Sequence, residues 1–100
     1  MSNEEKAFFL DLLNAAIDFY NMTRSPEASA RLIHIEVGKN DRVAVVEFSG
    51  EFCTSCGVRD WVEDLVYVIK SMGYDAELLK YIEPNNGVEL RRIGIFKVRL

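Results

Sequence analysis

Two thiols three positions apart are the residues of this chain best suited to chemistry. Cys53 and Cys56 are its two cysteines, and they close the run Arg42-Val43-Ala44-Val45-Val46-Glu47-Phe48-Ser49-Gly50-Glu51-Phe52-Cys53-Thr54-Ser55-Cys56-Gly57. A β-branched apolar stretch ends there in a Ser-Gly turn and leads into an amphipathic helix, so the pair is expected at a strand-to-helix corner. The free N–H groups and positive dipole end of a helix favour thiolate over thiol. A thiolate is both the nucleophile of disulfide exchange and a ligand for soft metals. Three readings stay open: metal or iron–sulfur binding through Cys53 and Cys56, dithiol–disulfide exchange, and a structural disulfide. Zinc and iron–sulfur sites are normally four-coordinate, so a resident metal or cluster needs a dimer or a partner protein to supply the remaining ligands. His34 is the other soft ligand of the chain, and a lone histidine on a strand is more often structural. No Ser-His-Asp set, paired-carboxylate site, Gly-rich phosphate loop or zinc-finger spacing is present.

The elements that must hold this corner are legible from periodicity. Phe8, Phe9, Leu12, Leu13, Ala16, Phe19 and Tyr20 recur at helical spacing behind a Ser2…Glu5 capping box, predicting a helix from Asn3 to Met22 that stops before Pro26. Residues Ser29 to Val37 alternate as a half-exposed strand, and Gly38-Lys39-Asn40-Asp41 turns the chain into a second strand, Arg42 to Phe48. Apolar residues on both faces of that second strand predict an interior position. Val58, Trp61, Val62, Leu65, Val66, Ile69 and Met72 predict the second helix, capped by Gly73. Tyr74 to Glu83 has some helical propensity but reads as a strand reached by a crossover. Pro84-Asn85-Asn86-Gly87 turns into a last strand, Val88 to Leu100, in which Gly94 is expected to mark a bulge.

The order α-β-β-α-β-β defines one α+β domain over residues 1–100: a two-layer sandwich with a mixed sheet of about four strands and both helices on one face. The last strand is expected beside Arg42–Phe48, with the first and third strands at the edges. Such an arrangement is a circular relative of the ferredoxin-like fold.

Composition narrows the partners. Hydrophobic residues make up 49% of the chain, the norm for a globular domain. Sixteen acidic residues against twelve basic ones argue against a nucleic-acid binder. Arg91, Arg92, Lys97 and Arg99 make the last strand basic, but alternation sends them to both faces. Trp61, Phe48 and Phe52 read as packing groups. The N-terminus shows no secretory pattern and no run is long enough to span a bilayer, so a cytoplasmic protein without a membrane role is expected.

The segment Val46 to Cys56 resembles the active-site corner of thioredoxins: a strand, an aromatic residue before Cys-x-x-Cys, then a helix. That resemblance implies Cys53 as attacking thiol, Cys56 as resolving thiol and Glu47 in the place of the family's acidic proton acceptor. In order of elements the chain also resembles the C-terminal domain of NifU-type iron–sulfur scaffolds, which run helix, hairpin, Cys-x-x-Cys, helix, strand; Gly50, Cys53 and Cys56 follow in that order. The expectation is thus a small cytoplasmic thiol protein, an iron–sulfur or metal carrier or a thiol–disulfide oxidoreductase, with a protein partner or a homodimer. The alternative is a non-enzymatic interaction module with a structural Cys53–Cys56 disulfide.

Overall fold

The computed structural model describes residues 3–24, 28–39, 41–50, 58–83 and 91–99. Six elements follow in the expected order: α1 (Asn3–Arg24), β1 (Ser29–Val37), β2 (Arg42–Ser49), α2 (Val58–Ser71), β3 (Asp75–Ile82) and β4 (Arg91–Arg99). The Ser2 cap and the Pro84–Gly87 turn lie outside the described residues. Helix α1 buries Phe9, Leu12, Leu13, Ala16, Ile17 and Tyr20, one stripe at spacings of three and four. Glu4 and Glu5 in its first turn complement the positive end of the helix dipole. Helix α2 buries Val62, Leu65, Val66, Val68 and Ile69. It ends in a Schellman motif: Gly73 N–H donates to the Lys70 carbonyl at 3.0 Å and Tyr74 N–H to that of Ile69 at 3.4 Å. Gly73 sits at φ +96°, where a side chain would be strained, and the stop it imposes frees Asp75–Ile82 to extend as a strand despite its helical propensity.

The sheet order is β1-β2-β4-β3, with β4 beside β2 and with β1 and β3 at the edges, as expected. The expected mixed sheet is instead antiparallel at every pairing. The crossover through α2 does join two strands that run the same way, but β4 inserts between them, so no parallel neighbours remain. Gly94 is in regular register with Val46 and Tyr81 rather than at a bulge. The irregularities lie in the two edge strands, where Ile33 and Leu79 are the extra residues. Gly94 matters for packing instead. A Cβ there would stand 2.7 Å from the Phe96 ring and 2.9 Å from Val62 Cγ1, so its absence lets α2 approach β4.

Both helices cover one face. Ala30, Ala44, Val46, Phe48, Ala76, Phe96 and Val98 point into the core, where Tyr20 meets Phe48 edge-on at 5.4 Å and Phe48 meets Phe96 at 6.0 Å. Such ring contacts add to the area they bury. Polar clamps tie the two helices to each other and α1 to the sheet. Tyr20 Oη donates to the Trp61 carbonyl at 2.7 Å, Arg24 pairs with Asp64 at 3.2 Å, and Glu5 pairs with Arg42. Asn21 exchanges two bonds with the backbone of Ala30, accepting from its N–H at 2.6 Å and donating to its carbonyl at 3.0 Å. Among the described residues no helix is long and apolar enough to cross a membrane.

Candidate functional site

Cys53 and Cys56, together with Glu51, Phe52, Thr54 and Ser55, lie outside the described residues. Of the expected site, Glu47 is described. Period-two alternation places its side chain opposite Val46 and Phe48, on the sheet face away from the helices. Its side chain is 12% exposed and its carboxylate is held at both oxygens, by Arg31 Nη2 on Oε1 and Arg91 Nη1 on Oε2, each at 3.1 Å. The arrangement makes Glu47 a cross-strand clasp joining β1, β2 and β4. His34 is exposed on β1, 3.6 Å from Glu36. Among the described residues no group of three or more His, Cys, Asp or Glu is arranged to hold a metal ion.

Near the end of β3, Tyr81 Oη donates to Glu83 Oε1 at 3.0 Å and accepts from Arg92 Nε at 3.1 Å. Burial, reinforced by the Glu83 carboxylate and opposed by the Arg92 guanidinium, raises the phenol pKa above its ordinary 10.0. A raised phenol pKa favours folding while the group stays protonated. That contribution is complete below the unfolded value and is lost as pH rises through the folded one. In an alkaline absorbance titration, the difference between the native chain and Tyr81→Phe is expected to show ionisation above pH 10, moved down by Glu83→Gln. A Tyr81 phenol that titrates at or below its ordinary value would contradict this geometry.

Two surfaces stand out that the sequence patterns alone do not separate from the core. On α1, Phe8, Ala15, Phe19 and Met22 form a second apolar stripe beside the buried one; Phe8 and Phe19 are each 48% exposed and Met22 74%. Phe8 extends it to Tyr74, ring centroids 6.2 Å apart. Glu4, Asp11 and Asp18, seven residues apart, line the far side of that stripe in exposed positions. The seven-residue recurrence of Phe8, Ala15 and Met22 is the available signal, obscured because Phe8 and Phe19 also fit the spacing of the core face. The second surface is the helix-free side of the sheet, where Val43, Val45, Ile93 and Ile95 are partly exposed and Ile82 is 37% exposed.

The geometry therefore defines a small α+β sandwich with one bare sheet face and one helix carrying two apolar stripes. No protein-family model matches the chain, and no curated protein matches it in sequence at a significant level. Among solved structures it is similar to the periplasmic domain of XcpY, with a TM-score of 0.60 and 13% identity over 91% of this chain and 95% of that one. At that identity the likeness concerns the fold.

This likeness corrects several expectations. The fold is shared with a periplasmic domain over nine tenths of the chain, so the resemblances to NifU-type scaffolds and to thioredoxins do not hold. The expectation of a cytoplasmic thiol protein, with iron–sulfur, metal-binding or redox function, rests on the Cys-x-x-Cys corner and falls with them. The physical reason is that a four-residue motif and a partial order of elements are compatible with many sheets. The cytoplasmic location is likewise corrected, because the similar solved structure is periplasmic.

Proposed function

We propose that this chain is a non-catalytic assembly domain, working outside the cytoplasm, that binds a basic amphipathic helix of a partner protein along α1. The observation that carries the reading is the exposed stripe of Phe8, Ala15, Phe19 and Met22 with its line of Glu4, Asp11 and Asp18. A helix laid along such a stripe reads out apolar anchors at spacings of three, four and seven residues. The acidic line selects basic flanks on that helix and disfavours both an anionic membrane surface and a second copy of α1. The likeness to a periplasmic domain supports the location. Cys53 and Cys56 have no part in this binding, so Cys53→Ser with Cys56→Ser is expected to leave it intact.

The test uses two synthetic 18-residue amphipathic peptides with the same leucine face, one flanked by lysine and one by glutamate. The lysine peptide is expected to perturb the backbone amide signals around Phe8, Phe19 and Met22. Phe19→Glu should weaken it by about tenfold or more, the effect of losing an aromatic anchor. Equal binding of the glutamate peptide, or no perturbation of α1 at millimolar peptide, overturns the reading. Fractionation of cells expressing the full chain checks the location, and recovery in the cytosol alone overturns that part.

A further inference from the structure

The C-terminal end of α1 is pinned by side chains on either side of Met22. Tyr20 Oη donates to the Trp61 carbonyl at 2.7 Å, and Asn21 holds the backbone of Ala30. Thr23 Oγ1 shares its proton between the Phe19 and Tyr20 carbonyls at 3.1 and 3.2 Å, and Arg24 reaches Asp64 at 3.2 Å. None of these bonds involves Met22. Its side chain is 74% exposed, more than any other large apolar side chain described. A chemical change at Met22 therefore alters the surface of α1 without removing anything that holds the helix in place.

Met22 is also the member of the exposed stripe that mild oxidation can convert. A peroxide turns a thioether into a sulfoxide, which is polar, whereas the phenyl rings of Phe8 and Phe19 and the methyl group of Ala15 offer no such reaction. Helix side chains lean toward the N-terminus, so Met22 leans over the turn that carries Phe19 and Asp18, where the apolar stripe adjoins the acidic line. A sulfoxide oxygen at that place is a strong acceptor that the apolar face of a partner helix cannot satisfy, and covering it costs its hydration. Of the other two methionines, Met72 is 38% exposed and Met1 lies outside the described residues.

We propose that Met22 is an oxidation site at which a peroxide loosens the hold of α1 on its partner helix while the fold stays intact. The proposal rests on the α1 reading for the partner and on the pinned helix end for the separation from folding. In the step, a lone pair of the Met22 sulfur attacks one oxygen of hydrogen peroxide and the O–O bond breaks. The proton on the transferred oxygen passes to the leaving hydroxide, which departs as water. The sulfur is oxidised by two electrons and the peroxide is reduced by two.

The test uses the full chain carrying Cys53→Ser and Cys56→Ser, so that thiols do not consume the oxidant. It is treated with hydrogen peroxide and followed by peptide mass mapping, circular dichroism and binding of the lysine peptide. Met22 is expected to gain oxygen before Met72, with the circular dichroism unchanged and the peptide bound more weakly by about fivefold or more. Methionine sulfoxide reductases with a dithiol should restore the affinity, the oxygen leaving as water and the dithiol becoming a disulfide. Met22→Leu should bind the peptide and keep its affinity through the same treatment, although Met1 and Met72 are still present. Oxidation of Met72 ahead of Met22, loss of the fold on oxidation of Met22, or an equal loss of affinity in Met22→Leu overturns the proposal. A chain that binds equally before and after treatment overturns it alone, whereas absence of binding before any peroxide is added overturns the α1 reading and this proposal with it.

Discussion

Replacing Gly94 by valine is expected to destabilise the domain by about 4 kcal/mol, and even alanine should cost about 1–3 kcal/mol. The added Cβ would stand 2.7 and 2.9 Å from two atoms of the Phe96 ring and 2.9 Å from Val62 Cγ1. None of these can step aside easily, because Phe96 and Val62 are both fully buried and Phe96 is packed against Phe48 at 6.0 Å. Valine adds two further methyl groups, and a cost of about 4 kcal/mol takes a large share of a total stability of roughly 5–15 kcal/mol. Urea unfolding measures the shift, and the mechanism has its own signature. In the Gly94→Ala background, Val62→Ala should cost less than it does alone, because it removes one of the crowded contacts and the two changes couple. An alanine variant within about 0.5 kcal/mol of the native chain would show that the helix does not approach β4 as described.

The second large effect is expected at Asn21, where Asn21→Ala should destabilise the domain by about 2–4 kcal/mol. The side-chain amide serves as a surrogate strand, accepting from Ala30 N–H at 2.6 Å and donating to its carbonyl at 3.0 Å. Ala30 is 6% exposed, so truncation strips a donor and an acceptor of these partners in a place water reaches poorly. Aspartate offers an acceptor but no donor and sets a charge against the Ala30 carbonyl, so Asn21→Asp should rescue only part of the loss. Hydrogen exchange at the Ala30 amide separates this from a general loss of helix, since that proton should lose protection first. An unchanged Ala30 exchange rate in Asn21→Ala would dispose of the clasp.

Elements are more legible in the sequence than chemistry. The period of 3.6 in α1 and α2, the alternation in β1 and the glycine after α2 are local signals, and the strands and helices follow them. Strand order is readable because a crossover after β2 and a final β-rich run leave few places for β4. The antiparallel pairing of every neighbour follows from that same order, since a β4 that turns back along β3 and enters between β3 and β2 runs against both; the expected mixed sheet overlooked this. Candidate sites fare differently. Glu47 draws attention by its position before Cys53 and Cys56, yet its partners Arg31 and Arg91 are set by cross-strand register. The bond between Asn21 and Ala30 and the space around Gly94 are also products of tertiary contact, which no spacing rule encodes. The apolar outer face of β2 is visible in the run Val43-Ala44-Val45-Val46, and it reads as burial on both sides because interior strands usually are buried so.

The extra residues of the two edge strands have a consequence for how this protein behaves when crowded. Ile33 breaks the ladder of β1 against Val46 and Val45, and Leu79 breaks that of β3 against Phe96 and Ile95, so both rims are interrupted at adjacent levels of the sheet. On β1 the outward backbone groups of Ala30 are already taken by Asn21. An arriving strand therefore meets no unbroken row of donors and acceptors on either rim. Chains this rich in valine and isoleucine strands are otherwise prone to grow by edge addition into fibres, and the interruption blunts that route at both margins.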